Sequence, residues 1–88
     1  MRISVDMSLY PLQDNYTSFI HSFLDSLNAV QGLTVTTNAM STQVHGEYDL
    51  VMDSIKHCLK VEFDKGAPFS LVTKILSVDR EHSEWNKR

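Results

Sequence analysis

The chain has 88 residues, of which 42% are hydrophobic and 22% are charged, and its formal net charge is −3. This length predicts one small domain with a modest core, which oligomerisation commonly stabilises by burying further apolar surface. The acidic balance argues against a nucleic-acid partner, and no apolar run approaches the roughly 20 residues that cross a bilayer, so no membrane role is expected. Cys58 is the only cysteine and no export signal is visible, so we expect a reducing, cytoplasmic location.

The first half of the chain predicts a strand followed by a helix. Residues 3–10 alternate apolar and polar side chains, the pattern of a strand with one face toward a core, and Pro11 helps to end it. Residues 15–30 then change to spacings of three and four, which predicts an amphipathic helix with Asp14 as its N-cap. The apolar stripe of this helix consists of Tyr16, Phe19, Ile20, Phe23, Leu24, Leu27 and Val30.

The second half predicts a hairpin, a second helix and a last strand. Residues 33–37 and 42–45 are short alternating segments joined by a turn-like stretch, which favours a hairpin. Residues 47–64 return to helical spacing, and residues 69–78 form a nearly continuous apolar strand whose two faces we expect to be covered. The stripe of the second helix consists of Tyr48, Met52, Ile55, Leu59 and Phe63, flanked by Val51 and Cys58.

The order βαββαβ predicts an α+β sandwich in which a four-stranded antiparallel sheet carries both helices on one face. The domain is expected to span residues 1–78, and residues 79–88 form a polar tail containing Trp85. The other face of the sheet is left open, so it is either solvated or a binding surface. Its predicted residues are Ser4, Asp6, Ser8, Thr34, Thr36, Gln43 and His45.

Four polar or aromatic residues are candidates for binding, and structural alternatives compete with this role. Asp6 is predicted in mid-sheet, where it is either a solvated acid or, if another subunit covers it, a group that needs a cation or a partner. Tyr10 and Tyr48 can stack on a flat cation, although the helical stripe favours core packing for Tyr48. Asn38 either shapes the hairpin turn or pairs with a heterocycle that offers a donor and an acceptor.

The sequence contains no pattern typical of catalysis or metal binding. His57 and Cys58 are adjacent on a predicted helix and therefore point about 100° apart, and no CxxC, HxH or HExxH spacing occurs. Cys58 lies beside the core stripe and reads as a packing residue. No Gly-x-Ser-x-Gly elbow or glycine-rich phosphate loop is present. We therefore expect no enzyme activity, no metal and no cofactor.

Three segments resemble a known family. They are residues 8–12 (Ser-Leu-Tyr-Pro-Leu), 39–42 (Ala-Met-Ser-Thr) and 46–49 (Gly-Glu-Tyr-Asp). In this order and at these separations they are similar to the small thiamin-binding proteins related to YkoF, a family also described as one of unknown function. The resemblance covers about residues 2–78.

The resemblance implies a ferredoxin-like fold, a homodimer or homotetramer, and non-catalytic binding of thiamin or its hydroxymethylpyrimidine moiety as a carrier, buffer or sensor. Carried over by position, the ligand contacts lie around Ser8, Tyr10, Asn38, Met40, Ser41, Thr42 and Glu47. Asp6 joins this set because thiamin is a cation, and either Asp6 or Glu47 supplies a carboxylate. The hydroxyls, the amide and the tyrosine ring supply the remaining group types that such a ligand requires.

Three other functions remain as alternatives. A structural or regulatory oligomerisation module would use the open sheet only for assembly. An enzyme of the acylphosphatase type needs an arginine in the loop after the first strand, and residues 11–15 contain none. An RNA-binding sheet requires exposed aromatic residues on its central strands. In this sequence, the residues predicted on the open face of those strands are serine, aspartate, glutamine and histidine.

Overall fold

In the computed structural model, which describes residues 1–13 and 17–80, the elements follow the predicted order βαββαβ. They are β1 (Arg2–Pro11), α1 (Thr17–Asn28), β2 (Thr34–Thr37), β3 (Thr42–Glu47), α2 (Tyr48–Asp64) and β4 (Phe69–Leu76). Neither helix combines the length and apolar character that spanning a membrane requires, within those two ranges. The predicted N-cap Asp14, the stripe residue Tyr16 and the tail residue Trp85 lie outside the described residues.

The four strands form one antiparallel sheet in the order β2-β3-β1-β4, which confirms the predicted ferredoxin-like α+β fold. Strand β1 is central, between β3 and β4. In this register Ser4 lies opposite His45 and Asp6 lies opposite Gln43, while Lys74 of β4 lies on the other side of Asp6. The alternation of β1 therefore places its polar side chains together on one face.

The core lies between the other face of the sheet and the two helices. Removing each large apolar side chain from water stabilises the fold by roughly 1.5–3 kcal/mol, so this one layer holds sheet and helices together. Its buried members are Ile3, Val5 and Met7 of β1, Phe23 and Leu27 of α1, Val44 of β3, and Val51, Ile55 and Cys58 of α2.

Helix α2 is rotated relative to the predicted stripe. Its buried residues are Val51, Ser54, Ile55, Cys58 and Glu62. Tyr48 and Phe63, which the stripe placed in the core, are 46% and 57% exposed. The inward carboxylate of Glu62 accepts hydrogen bonds from Ser22 and Lys65, which offset the cost of burying it. Hydrophobic periodicity assigns every carboxylate to the solvent side of a helix, so it could not predict the buried position of Glu62.

Strand β4 is an edge strand, and its apolar side chains are not covered within the single chain. Val72 and Ile75 point to opposite faces of the sheet, and each is 52% exposed. The helices pack over β1, β2 and β3, and contact with β4 is made mainly at its start, where Phe69 lies against Phe63 and Phe19. The expectation that both faces of this strand are covered is therefore not met by the residues described.

The segment after β4 is held against the start of β1. Arg2 Nε lies 2.6 Å from Asp79 Oδ2, and the backbone N–H of Arg80 donates to Ser4 Oγ at 2.7 Å. Asp79 and Arg80, which we assigned to the polar tail, thus contact the sheet. Their position shapes one end of its polar face.

Candidate functional site

The carboxylate of Asp6 is the centre of a small hydrogen-bond network on the polar face of the sheet. Ser41 Oγ donates to Asp6 Oδ1 at 2.6 Å, and Gln43 Nε2 donates to the same oxygen at 2.9 Å. Gln43 Nε2 also lies 2.7 Å from Ser41 Oγ. We call these three residues the Asp6 network.

Hydrogen bonding within this network favours the ionised form of Asp6. The bond from Ser41, then the bond from Gln43, and to a smaller extent the charge of Lys74 lower the pKa of Asp6, against an opposing effect of partial burial. The side chain is therefore a carboxylate throughout the neutral range. It can accept hydrogen bonds from a ligand amino group or lie against a cationic ring.

The hairpin between β2 and β3 positions Ser41. Asn38 Oδ1 accepts the backbone N–H groups of Met40 at 2.8 Å and Ser41 at 3.0 Å, and Asn38 N–H donates to the Ser41 carbonyl at 3.0 Å. These bonds close the turn, as asparagine commonly does. The carbonyl oxygen of the Asn38 side chain is thus already used within the loop, which matches the turn alternative.

Two cavities lie next to the Asp6 network. The first, here called the sheet-face cavity, has a volume of about 360 Å³ and is lined by Ser4, Val5, Asp6, Thr36, Gln43, His45, Leu76 and Arg80. The second, the hairpin-end cavity, has about 240 Å³ and is closed on one side by Ile20 and Leu24 of α1. Six of the eight predicted ligand contacts line the hairpin-end cavity: Ser8, Tyr10, Asn38, Met40, Ser41 and Thr42.

The predicted contacts are not equally available to a ligand. Ser8 is half-buried and Tyr10 is 52% exposed, and both follow Asp6 on the same face of β1. Met40 is 86% exposed at the loop. Thr42 is buried, and its hydroxyl shares a hydrogen bond of 3.0 Å with Thr37.

Glu47 is the one predicted contact that the structure does not bring to the others. It lies opposite Arg2, at the far end of β3, and its Oε2 is 3.0 Å from the N-terminal amine of Met1. It lies five positions after Thr42, which is about 17 Å along a strand. Of the two predicted carboxylates, only Asp6 lies beside the other predicted contacts.

His45, which the sequence assigned only to the open face, lines the sheet-face cavity. It is 9% exposed, and its Nδ1 lies 2.7 Å from Ser4 Oγ and 3.6 Å from Asp79 Oδ1. Alternation predicted the correct face for His45. The sheet-face cavity beside His45 is also lined by Arg80, which follows the last strand and lies in no periodic pattern. The register between β1 and β3, which the sequence does not give, also brings Gln43 next to Asp6.

Other parts of the described chain are less suited to specific binding. A groove of about 700 Å³ runs along α2, and its surface is mainly apolar. Burial and the nearby charge of Glu62 raise the pKa of the Cys58 thiol, so it is a poor nucleophile. No three histidine, cysteine, aspartate or glutamate side chains within residues 1–13 and 17–80 are grouped to hold a metal ion.

The chain is a small ferredoxin-like domain with two cavities beside the central carboxylate of Asp6. The chain belongs to the thiamine-binding protein family, whose family model matches residues 5–85. This confirms the resemblance that the three sequence segments carry. The family is a binding-type domain rather than a catalytic one.

Solved structures show the same fold. A protein from Streptococcus pneumoniae has a TM-score of 0.80 at 22% identity, with 99% of this chain and 97% of that chain covered. A Thermotoga maritima protein, described as a candidate thiamine biosynthesis/salvage protein, has a TM-score of 0.81 at 18% identity over the whole of both chains. A DUF77 domain from Bacillus cereus has a TM-score of 0.75 at 23% identity, covering 100% and 91%. No curated protein matches the chain.

Proposed function

We propose that this protein binds thiamin, or its hydroxymethylpyrimidine moiety, without catalysis, as a cytoplasmic carrier, buffer or sensor. Membership of the thiamine-binding family supports the ligand class. The observation that carries the proposal is the carboxylate of Asp6, which two donors fix in place on the polar face and whose pKa they lower. An ionised acid held in this way suits a cationic ligand with an amino group.

The proposed ligand lies along β1 on the polar face. Alternate residues of a strand are about 7 Å apart on one face, so Asp6, Ser8 and Tyr10 span about 14 Å in one line. In this proposal the exposed ring of Tyr10 stacks on the flat cation, and Ser8 adds a hydroxyl between Asp6 and Tyr10. Asn38 and Met40 contribute by shaping the loop that carries Ser41.

We also propose that the protein is a homodimer or homotetramer. Val72, Ile75 and Leu76 of β4 are exposed in the single chain, and an uncovered edge strand of this composition favours pairing with another chain. The same observation supports the second candidate function, an oligomerisation module with no small ligand. The two functions differ in the role of Asp6, which contacts the ligand in the first function and has no ligand in the second.

The test is isothermal titration of ligand-free protein with thiamin and, separately, with the free hydroxymethylpyrimidine. A parallel thermal unfolding experiment has a predictable size. A ligand at 100 times its dissociation constant adds about 2.7 kcal/mol, which raises the midpoint of a domain this small by on the order of 10 °C.

The variant Asp6→Asn separates the two functions, because asparagine still accepts the Ser41 and Gln43 bonds but carries no charge. We expect at least a tenfold loss of thiamin affinity with unchanged oligomer mass. Asp53→Asn, on the exposed side of α2, is the matched control and should bind as the unmodified protein does. If neither ligand binds to protein free of copurified ligand, the oligomerisation module becomes the better description.

A further inference from the structure

We infer that the sheet-face cavity recognises the edge of a 4-aminopyrimidine ring, with Asp6 accepting from the amino group and His45 donating to the adjacent ring nitrogen. This inference rests on the proposed function and names the part of the ligand that the cavity selects. It adds His45, a residue outside the predicted contacts, as a specificity-determining residue.

Asp6 supplies an acceptor to the cavity. Its Oδ1 is occupied by the bonds from Ser41 and Gln43, whereas Oδ2 accepts no hydrogen bond from any described residue. A carboxylate oxygen can accept two hydrogen bonds and cannot donate when ionised. Oδ2 of Asp6 is therefore available to accept a hydrogen bond from a ligand in the cavity that Asp6 lines.

His45 supplies a donor to the same cavity. Ser4 Oγ accepts the backbone N–H of Arg80 at 2.7 Å and lies 2.7 Å from His45 Nδ1. Ser4 is only 4% exposed, so its own O–H needs an acceptor, and we assign that O–H to His45 Nδ1 at 2.7 Å. With this assignment the proton of a neutral ring lies on Nε2.

The two groups are placed to act on one ring. Ser4 pairs with His45 and Asp6 pairs with Gln43, so Asp6 and His45 are diagonal neighbours on adjacent strands. Such neighbours are about 7 Å apart on one face, within reach of one flat ligand between long side chains. The Asp6 carboxylate can accept from the exocyclic amino group of an aminopyrimidine. The His45 N–H can donate to the unprotonated ring nitrogen beside that amino group.

The same pair rejects the 4-oxo analogue. Oxythiamin carries a carbonyl oxygen in place of the amino group and a hydrogen on the adjacent ring nitrogen, which reverses the pattern. Its oxygen would then face the Asp6 carboxylate and its N–H would face the His45 N–H. Sites that read such a pattern with buried polar groups discriminate strongly, because the wrong ligand leaves those groups unpaired.

The experiment is titration of the full chain with thiamin and with oxythiamin under the same conditions. We expect thiamin to bind at least about tenfold more tightly, the effect of losing one charged hydrogen bond. Equal affinities would overturn the inference while leaving the proposed function intact. No binding of thiamin or of the free pyrimidine would overturn the proposed function, and this inference with it.

A variant tests His45 directly. His45→Asn keeps an amide group near the position of Nδ1, facing Ser4, but removes Nε2. We expect it to reduce the preference for thiamin over oxythiamin to less than about threefold, while His57→Asn on the exposed side of α2 leaves the preference unchanged. A folded His45→Asn protein with the full preference would contradict the inference. If that variant does not fold, the comparison of the two ligands on the unmodified protein still decides.

Discussion

Ser41 Oγ and Asp6 Oδ1 are 2.6 Å apart although 35 positions separate the two residues in the chain. The bond ties the hairpin loop to the central strand. It is also the largest cause of the lowered pKa of Asp6. The loop residue Ser41 therefore helps to hold the carboxylate in place on the polar face.

Replacing Ser41 with alanine should raise the pKa of Asp6 toward its ordinary value of 3.8. The lowered pKa means that the ionised carboxylate stabilises the folded state above about pH 3.8, and that this contribution is lost as the pH falls through the folded-state pKa. Ser41→Ala should thus cost about 0.5–1.5 kcal/mol at pH 6 and much less in strong acid. A carboxyl-carbon NMR titration and urea unfolding at several pH values measure both effects.

The control for Ser41 is Ser77→Ala, since Ser77 is exposed in the turn after β4. It should leave both the Asp6 titration and the pH dependence of stability unchanged. An unaltered Asp6 titration in Ser41→Ala would contradict the assignment of the Ser41 bond as the largest cause of the lowered pKa.

Replacing Ser4 with alanine should destabilise the fold more than replacing Ser8, which lies on the same face of the same strand. Ser4 is buried and bonds to both His45 and the Arg80 backbone, whereas Ser8 is half-buried and makes no side-chain hydrogen bond with the described residues. Leaving buried partners unsatisfied costs about 1–3 kcal/mol, against a few tenths for Ser8→Ala. Chemical denaturation of both variants measures the difference, and equal costs would mean that water readily replaces Ser4.

The order of elements and the faces of β1 could be predicted from the sequence because periodicity depends only on neighbouring residues. Alternation predicted Asp6 in mid-sheet, and the resemblance implied that Ser41 belongs to the same ligand site. The sequence could not separate Glu47 from these residues, because its position depends on the register between β1 and β3. It could not place Arg80 either, because a polar residue after the last strand has no periodic signal.

Glu62 shows a second limit of sequence patterns and supplies a further prediction. It is 2% exposed, and Lys65 Nζ lies 2.9 Å from its Oε2, which Ser22 Oγ also approaches at 3.2 Å. Glu62→Ala should cost about 1–3 kcal/mol, because Ser22 and Lys65 lose their shared acceptor between α1 and α2. Asp64→Ala removes an exposed pair with Lys60 and should change stability by less than about 1 kcal/mol. Equal effects in thermal unfolding would show that the buried carboxylate is readily replaced by water.

The exposed residues of β4 predict how copies of the chain assemble. If two β4 edges pair, a lysine on either face of the strand should hinder the contact, because charged side chains on an edge oppose strand addition. We therefore expect Val72→Lys and Ile75→Lys each to lower the mass measured by sedimentation equilibrium to that of one chain. Gln31→Lys, at an exposed position after α1, should keep the mass of the unmodified protein. If only Val72→Lys dissociates the oligomer, the two sheets stack through their polar faces instead of pairing at their edges. The reason is that Val72 shares the face of Asp6 and Ile75 does not.

A single-chain mass for the unmodified protein would contradict assembly altogether. The Asp6 site would then have to bind its ligand within one domain.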